Sequence, residues 1–356
     1  MSSEGSEFEK VLAPLRDSSA HRPRPEDDVV PGPARPRPED DLGGGPKPLI
    51  HLEGLRKTYG SHVALDGLSL DLYPGDIMGF LGPNGAGKTT TLRILATILK
   101  PDQGTATLAG HSLEQVHEVR RKIGYMPDFI GTYDDLHVFE YMEFFARAYE
   151  VRSDLREYAI NEALTTTELI DLKMRPVDGL SRGQKQRLAL ARLLMHDPPV
   201  LLLDEPAAGL DPRARVQLRD ILRSLQQKGK AIIVSSHVLE DLADLSNKIA
   251  VIENGRLLAF GATADLLRRL RDSRRWKVRL RLAEETERLR LFLQEQPEVQ
   301  NVVYAGSDLL VTFQGGEETA EAMHQRMFEN GFRLLEFAEE SLGLEELYLR
   351  ITGNSP

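Results

Sequence analysis

The first 48 or so residues carry almost no apolar periodicity, whereas from Leu49 onward short apolar strands alternate with amphipathic helices. LIHLEGLRKTY (49–59) and ALDGLSLDLYPGD (64–76) read as two strands joined by a turn at Tyr59, Gly60 and Ser61. IMGFLG (77–82) is a buried strand running into a glycine-rich loop, and Lys88–Leu99 has helical spacing that Pro101 should stop. KIGYM (122–126), VLLLD (200–204) and AIIVSS (231–236) are further buried strands with helices between them. Strand, crossover helix and strand repeated in this way predict an α/β fold, a parallel sheet flanked by helices.

Near residue 273 the rhythm changes. WKVRLRL, EETERLRLFLQE, VQNVVYA, DLLVTF, EETAEAMHQRMFEN and FRLLEFA read in turn as strand, helix, strand, strand, helix and strand. That is the ferredoxin-like split unit, α+β in class, followed by a short helix near LGLEELYLRI (342–351). The expected organisation is a tail over 1–48, an α/β domain over 49–272 and a small accessory domain over 273–356.

Composition sharpens this division. Nine of the 20 prolines fall in residues 1–48, a stretch too poor in apolar side chains to offset its ordering entropy, so it is expected to be disordered. RPRPEDD occurs there twice, at 22–28 and 35–41, either as a duplication within a linker or as a docking motif of polyproline character. Residues 1–48 hold 7 basic and 10 acidic side chains, 49–273 hold 28 and 30, and 274–356 hold 10 and 15. None is a basic block of the kind that binds a phosphate backbone, which argues against nucleic acid as a partner. The C-terminal aromatics Trp276, Tyr304 and Phe313 do not form an RNA-binding motif either.

With no cysteine, disulfides, thiolate zinc sites and cysteine nucleophiles are excluded. No apolar run approaches the roughly 18 residues needed to cross a bilayer. MSSEGSEFEK lacks the basic start and apolar stretch of a secretory signal, so a cytoplasmic location is expected.

Two motifs carry the chemistry. GPNGAGKT, Gly82 to Thr89, satisfies G-x-x-x-x-G-K-[ST] between a buried strand and a helix. Its glycines let backbone N–H groups wrap phosphates, Lys88 brings a point charge to the β/γ-phosphates, and the Thr89 hydroxyl is suited to Mg²⁺. VLLLDEP ends a strand in two carboxylates: Asp204 is placed to hold magnesium through water, and Glu205 to act as general base on an attacking water. Between them, Ser181 and Gly183 in LSRGQKQRLALARLL open a helix whose start offers a second anion site. Two anion sites about a hundred residues apart serve one nucleotide if two chains share it.

GPNGAGKTT, LSRGQKQRL, VLLLDEP, AAGLDP and SSH, in this order and spacing, resemble the nucleotide-binding domain of ATP-binding cassette (ABC) proteins over about residues 49 to 270. Within that family the chain looks most like ATPase subunits of exporters whose membrane domains are separate chains, which commonly end in a segment like SLGLEELYLRITG. The resemblance implies a P-loop NTPase cassette with a mixed sheet and a helical subdomain at about 128–180, with ATP and Mg²⁺ as cofactors. It implies that Tyr59 stacks on adenine and that Gly82, Pro83, Asn84, Gly85, Ala86, Gly87, Lys88, Thr89 and Thr90 hold the phosphates. Ser181, Gly183 and Gln184 would contact the γ-phosphate bound to the opposing subunit, and Asp211 would connect the two sites. His237 would contact the γ-phosphate and position water, so that Glu205, His237 and Lys88 form the catalytic set. The implied partners are integral-membrane permease subunits on separate chains and a second copy or a paralogous cassette. The chain would then sit peripherally on the inner face of the cell membrane.

Two positions depart from the family pattern. Asp128, in YMPDF, stands where a magnesium-ligating glutamine is usual; a carboxylate ligates Mg²⁺ as well but donates no hydrogen bond, so it is expected to keep the metal role with altered coupling. Arg182 stands where the signature usually has glycine, with its guanidinium facing phosphate or pointing into solvent. The aromatics of the helical region, Phe139, Tyr141, Phe144, Phe145 and Tyr149, are expected to be mostly core with one or two exposed for docking. A soluble cassette ATPase of translation or DNA repair is the competing function, but such proteins usually carry two cassettes or a coiled-coil insertion, and this chain has neither. A non-hydrolytic regulatory module should lack Glu205 or His237, and both are present.

Overall fold

The computed structural model describes residues 47–129, 131, 135–270, 274–313, 317–339 and 348. The RPRPEDD repeats, and all but Tyr348 of the expected helix at 342–351, lie outside these residues.

Strands β1 (Ile50–Tyr59) and β2 (His62–Leu72) pair as the expected hairpin, with Tyr59 opposite His62 across the turn. β3 (Ile77–Leu81) follows, and helix α1 (Lys88–Leu95) starts directly after the glycine loop. The helix is four residues shorter than its spacing predicts. Thr97 adopts a left-handed backbone, φ 59°, and Arg120 holds it there by donating to its hydroxyl at 2.8 Å and its carbonyl at 3.3 Å. β4 (Gln103–Leu108) and β5 (His111–Ser112) complete a four-stranded antiparallel sheet in the order β2-β1-β4-β5.

After α2 (Val116–Lys122) the chain enters β6 (Ile123–Met126), then α3 (Val138–Ala148), α4 (Arg156–Thr166) and α5 (Arg182–Leu194). β7 (Val200–Asp204), α6 (Pro212–Gln227), β8 (Ala231–Ser236), α7 (Leu239–Ala243), β9 (Lys248–Glu253), β10 (Arg256–Ala262) and α8 (Thr263–Leu270) finish this part. The second sheet runs β10-β9-β3-β8-β7-β6, with β9, β3, β8, β7 and β6 parallel and β10 antiparallel at the edge. Its central strands are buried on both faces, which is why they read as unbroken apolar runs.

Strand alternation divides the apolar side chains into two cores. Met78, Phe80, Val200 and Leu202 pack with α1 and the antiparallel sheet, while Ile77, Leu81, Leu201 and Leu203 pack with α5, α6 and α7. A third cluster joins α3 and α4 to α5. Helix α5 belongs to two clusters at once: Ala189, Leu190 and Leu193 face the sheet, and Leu188, Ala191 and Met195 face the helices. It is buried from Gln186 to Leu193, as expected of a helix enclosed on all sides. In α3 and just after it, Tyr141 and Phe145 are core and Phe144 is exposed, while Phe139 and Tyr149 are partly buried.

His196, just past α5, bonds through Nε2 to the Ile123 carbonyl at 3.0 Å and packs against the Tyr149 ring, tilted at 35° to it. Burial holds its pKa below the ordinary histidine value, outweighing the Ile123 bond. The folded state therefore binds fewer protons than the unfolded chain, and this contribution is complete above about pH 6.5 and lost as pH falls through the lowered pKa. Thermal unfolding between pH 8 and pH 5 should show this loss, and a His196→Gln chain should show a flatter pH dependence.

The C-terminal unit comprises β11 (Arg274–Leu280), α9 (Thr286–Gln294), β12 (Val299–Ala305), β13 (Asp308–Phe313), α10 (Glu317–Glu329) and β14 (Leu334–Glu339). Its antiparallel sheet has the order β12-β13-β11-β14, so the first strand lies between the third and fourth, as in the ferredoxin-like split unit. Val278, Val311 and Phe313 pack under Leu289, Leu293, Met323 and Met327 of the two helices. No helix among the described residues is long and apolar enough to cross a membrane.

Candidate nucleotide site

The loop between β3 and α1 is shaped by glycine. Gly87, which starts α1, has φ 113°, and a Cβ there would lie 2.6 Å from the Ala64 carbonyl and 2.7 Å from a Leu65 methyl. No larger residue fits so close an approach in that conformation. No side chain caps α1, so its first amides are left to an external acceptor. Pro83, Asn84 and Gly85 are exposed, Ala86 is buried, and Thr89 and Thr90 are half-buried at the helix start.

Lys88 folds back over the loop, 6% exposed, donating to the Gly82 carbonyl at 2.5 Å and the Pro83 carbonyl at 3.2 Å. Burial lowers its pKa, against the pull of the Glu205 and Asp204 carboxylates. It makes no ion pair among the described residues, so a desolvated ammonium hydrogen-bonded to carbonyls stands at the loop, with the two carboxylates acting on it only from beyond contact. An anion compensates such a charge best.

Register brings the acidic pair to this point. β7 pairs with β8 so that Asp204 lies opposite Ser235, whose hydroxyl donates to Asp204 Oδ1 at 2.6 Å and accepts the Glu205 N–H at 3.0 Å. Asp204 is 1% exposed, and its Oδ2 is buried with no hydrogen-bond partner. A buried, unpartnered carboxylate oxygen is costly unless a cation takes it, which fits Mg²⁺. No cluster of three or more His, Cys, Asp or Glu capable of holding a metal occurs among the described residues, so such a cation would draw the rest of its oxygens from phosphates, hydroxyls and water.

Glu205 has a left-handed backbone, φ 50°, an unusual conformation for a side chain of this size and one that recurs at functional sites. Its Oε2 accepts from His237 Nδ1 at 2.9 Å. An ionised carboxylate only accepts, so Nδ1 is the donor in this bond. Asp128, two residues beyond β6, is exposed at the same sheet end as Asp204, since Met126 pairs with Leu203. Its Oδ1 accepts the Phe129 N–H at 3.0 Å. Tyr59 ends β1 in an exposed position.

For the second group of sequence-predicted residues, no hydrogen bond among the described residues reaches the phosphate loop. Ser181 caps α5 in a reciprocal box: its Oγ accepts the Gln184 N–H at 3.3 Å, and Gln184 Oε1 accepts the Ser181 N–H at 2.9 Å. Asp211 caps α6 by accepting the Ala214 N–H at 2.9 Å. Gly183 lies so close to Ala214 that a Cβ on it would be 2.9 Å from the alanine methyl. Arg182 is exposed, and its guanidinium lies over Gly209, within 2.7 Å of the site a Cβ would occupy there.

Sequence reasoning missed two residues. Ser235, quoted only as part of SSH, ties both acidic residues together. Gln186, buried on α5, donates to the Pro206 carbonyl at 2.6 Å. Its one legible signal is a polar side chain at the start of a buried stretch of α5 whose other members are apolar apart from Arg187 and Arg192.

The ABC transporter family model matches residues 65–208. The Nod factor export ATP-binding protein I of Ralstonia nicotianae is 33% identical over 307 residues, covering 86% of this chain and 94% of that protein. The chain belongs to the ATP-binding subunits of ABC transporters. This family hydrolyses ATP, and the family match over 65–208 spans both the glycine loop and the acidic end of β7. Among solved structures, cbiO1 from Clostridium perfringens, part of the ABC transporter complex cbiONQ, superposes with a TM-score of 0.57 at 26% identity, covering 63% of this chain and 94% of that one. An ATP-binding cassette in a dimeric post-hydrolysis state, bound to ADP and Pi, superposes with a TM-score of 0.54 at 26% identity, covering 60% and 98%.

Proposed function

We propose that this ABC subunit hydrolyses MgATP at a site completed by a second cassette and so drives export through membrane subunits encoded as separate chains. The observation that carries the hydrolytic part is the convergence of buried Lys88, orphaned Asp204 and strained Glu205 on the end of β3 and β7. Lys88, the α1 amides and the Gly82–Thr90 loop bind the phosphates, with Tyr59 against the adenine. Asp204, Thr89 and Asp128 would hold Mg²⁺, which when bound neutralises charge on the β- and γ-phosphates. Glu205 takes the proton of the attacking water at Oε1, the oxygen that His237 leaves free. With Nδ1 on Glu205, His237 donates to a γ-phosphate through Nε2 only as the imidazolium, or after releasing Glu205.

Ser181, Gly183 and Gln184 present the start of α5 to a nucleotide on the other cassette, and Asp211 links the two sites. The dimeric state of the solved relative and the composite transporter to which cbiO1 belongs support this arrangement. Domain boundaries at 49–272 and 273–356 follow the change from the two cassette sheets to the C-terminal sheet. The membrane partner docks on the region 128–180, where Phe129, Phe144, Tyr158 and Met174 are exposed. It thereby holds the chain on the cytoplasmic face. The export direction rests on what the Ralstonia relative is named for.

Two measurements bear on the metal. Chelation of divalent cations should abolish ATP turnover, and Mg²⁺ should restore it. Asp128→Asn should change either basal turnover or its stimulation by the membrane partner by severalfold; unchanged values for both would remove Asp128 from the metal site.

A further inference from the structure

The start of α5 is bound at three places to the segment that follows Glu205. Gly183 lies against Ala214 with no room for a methyl group, and the Arg182 guanidinium covers Gly209. Gln186, one turn further along the helix and 8% exposed, donates through Nε2 to the Pro206 carbonyl at 2.6 Å. Pro206 directly follows Glu205, whose φ of 50° must be held by its surroundings. Ser235 holds the Glu205 amide from the β8 side, and Gln186 holds the Pro206 carbonyl, in the peptide after next, from the α5 side. Because α5 is packed into both the sheet core and the helical cluster, it moves as a unit rather than yielding locally.

We infer that Gln186 is a positioning residue that couples the anion site at the start of α5 to Glu205 of the same chain. Nucleotide engaged by Ser181 in one site of the dimer then sets the general base in the other. The inference rests on the shared-site reading above. A buried glutamine that only braced a loop would support stability and leave the two sites independent.

The test is steady-state MgATP hydrolysis by the purified full-length chain, with Glu205→Gln measured alongside. The wild-type chain is expected to show a Hill coefficient above 1. Gln186→Leu, which removes the donor, should lower kcat about tenfold, equivalent to about 1.4 kcal/mol. KM should stay within about twofold, and the Hill coefficient should fall to 1. If that variant does not fold, Gln186→Met, of similar length and without the donor, is read in the same way. A kcat and Hill coefficient equal to wild type overturn the inference. So does a lowered unfolding temperature in a folded fraction that keeps both parameters. Failure of the shared-site reading is separate: the Glu205→Gln chain with MgATP would then stay monomeric in size-exclusion chromatography, and a wild-type Hill coefficient of 1 overturns the inference where that chain dimerises.

Discussion

Glu205→Gln is expected to lower kcat for ATP hydrolysis by about 10²- to 10⁴-fold, the range by which a positioned general base accelerates proton transfer. The substitution is nearly isosteric. The amide oxygen still accepts from His237 Nδ1, and the Ser235 bond to the backbone N–H is untouched. What is lost is the proton-accepting carboxylate, so ATP affinity should change by no more than about threefold. Phosphate release and equilibrium nucleotide binding, measured on the same preparation, check both halves. A kcat within about threefold of wild type would remove Glu205 from the chemistry.

Lys88→Ala acts on binding instead. The Lys88 ammonium is buried, its pKa is depressed by that burial, and among the described residues it hydrogen-bonds only to two loop carbonyls. A triphosphate would be its charge partner in a poorly solvated site, where removing one side of such a pair costs about 2–5 kcal/mol. ATP should therefore bind at least about 30-fold more weakly, as read by titration calorimetry. Lys88→Arg should not restore affinity, because the broader guanidinium cannot reproduce the close 2.5 Å approach to the Gly82 carbonyl. Wild-type affinity in either variant would place the triphosphate elsewhere.

Much of this site is legible in the sequence because its signals are local. A run such as VLLLD is apolar because β7 is covered on both faces, and its terminal acids mark where the strand leaves the core. The glycine pattern of 82–87 records a backbone path that larger residues cannot follow. The βαββαβ order of the C-terminal unit likewise follows from short-range periodicity, and the sheet order β12-β13-β11-β14 agrees with it.

Contacts between distant segments leave no such trace. Arg120 shortens α1 through Thr97, 23 residues away, and nothing in the helical spacing of 88–99 announces it. Gln186 and Pro206 meet across 20 residues, and Ser235 and Asp204 across 31. Ser181 and Asp211 pose a different difficulty. Each caps its own helix, and capping alone would select the same residue types, so sequence does not separate that duty from a role in nucleotide binding. The sequence leaves Arg182 open between phosphate and solvent, because its place over Gly209 depends on how α5 packs on the 207–211 loop.

The most direct test of the account is purification of the tagged full-length chain from detergent-solubilised membranes of its source, followed by ATPase assay of what accompanies it. The account predicts an integral-membrane protein in the complex, ATP turnover faster than that of the free chain, and loss of that turnover in the Glu205→Gln complex. Recovery of the chain only from the soluble fraction, with no membrane protein attached and no stimulation of its turnover, would contradict it.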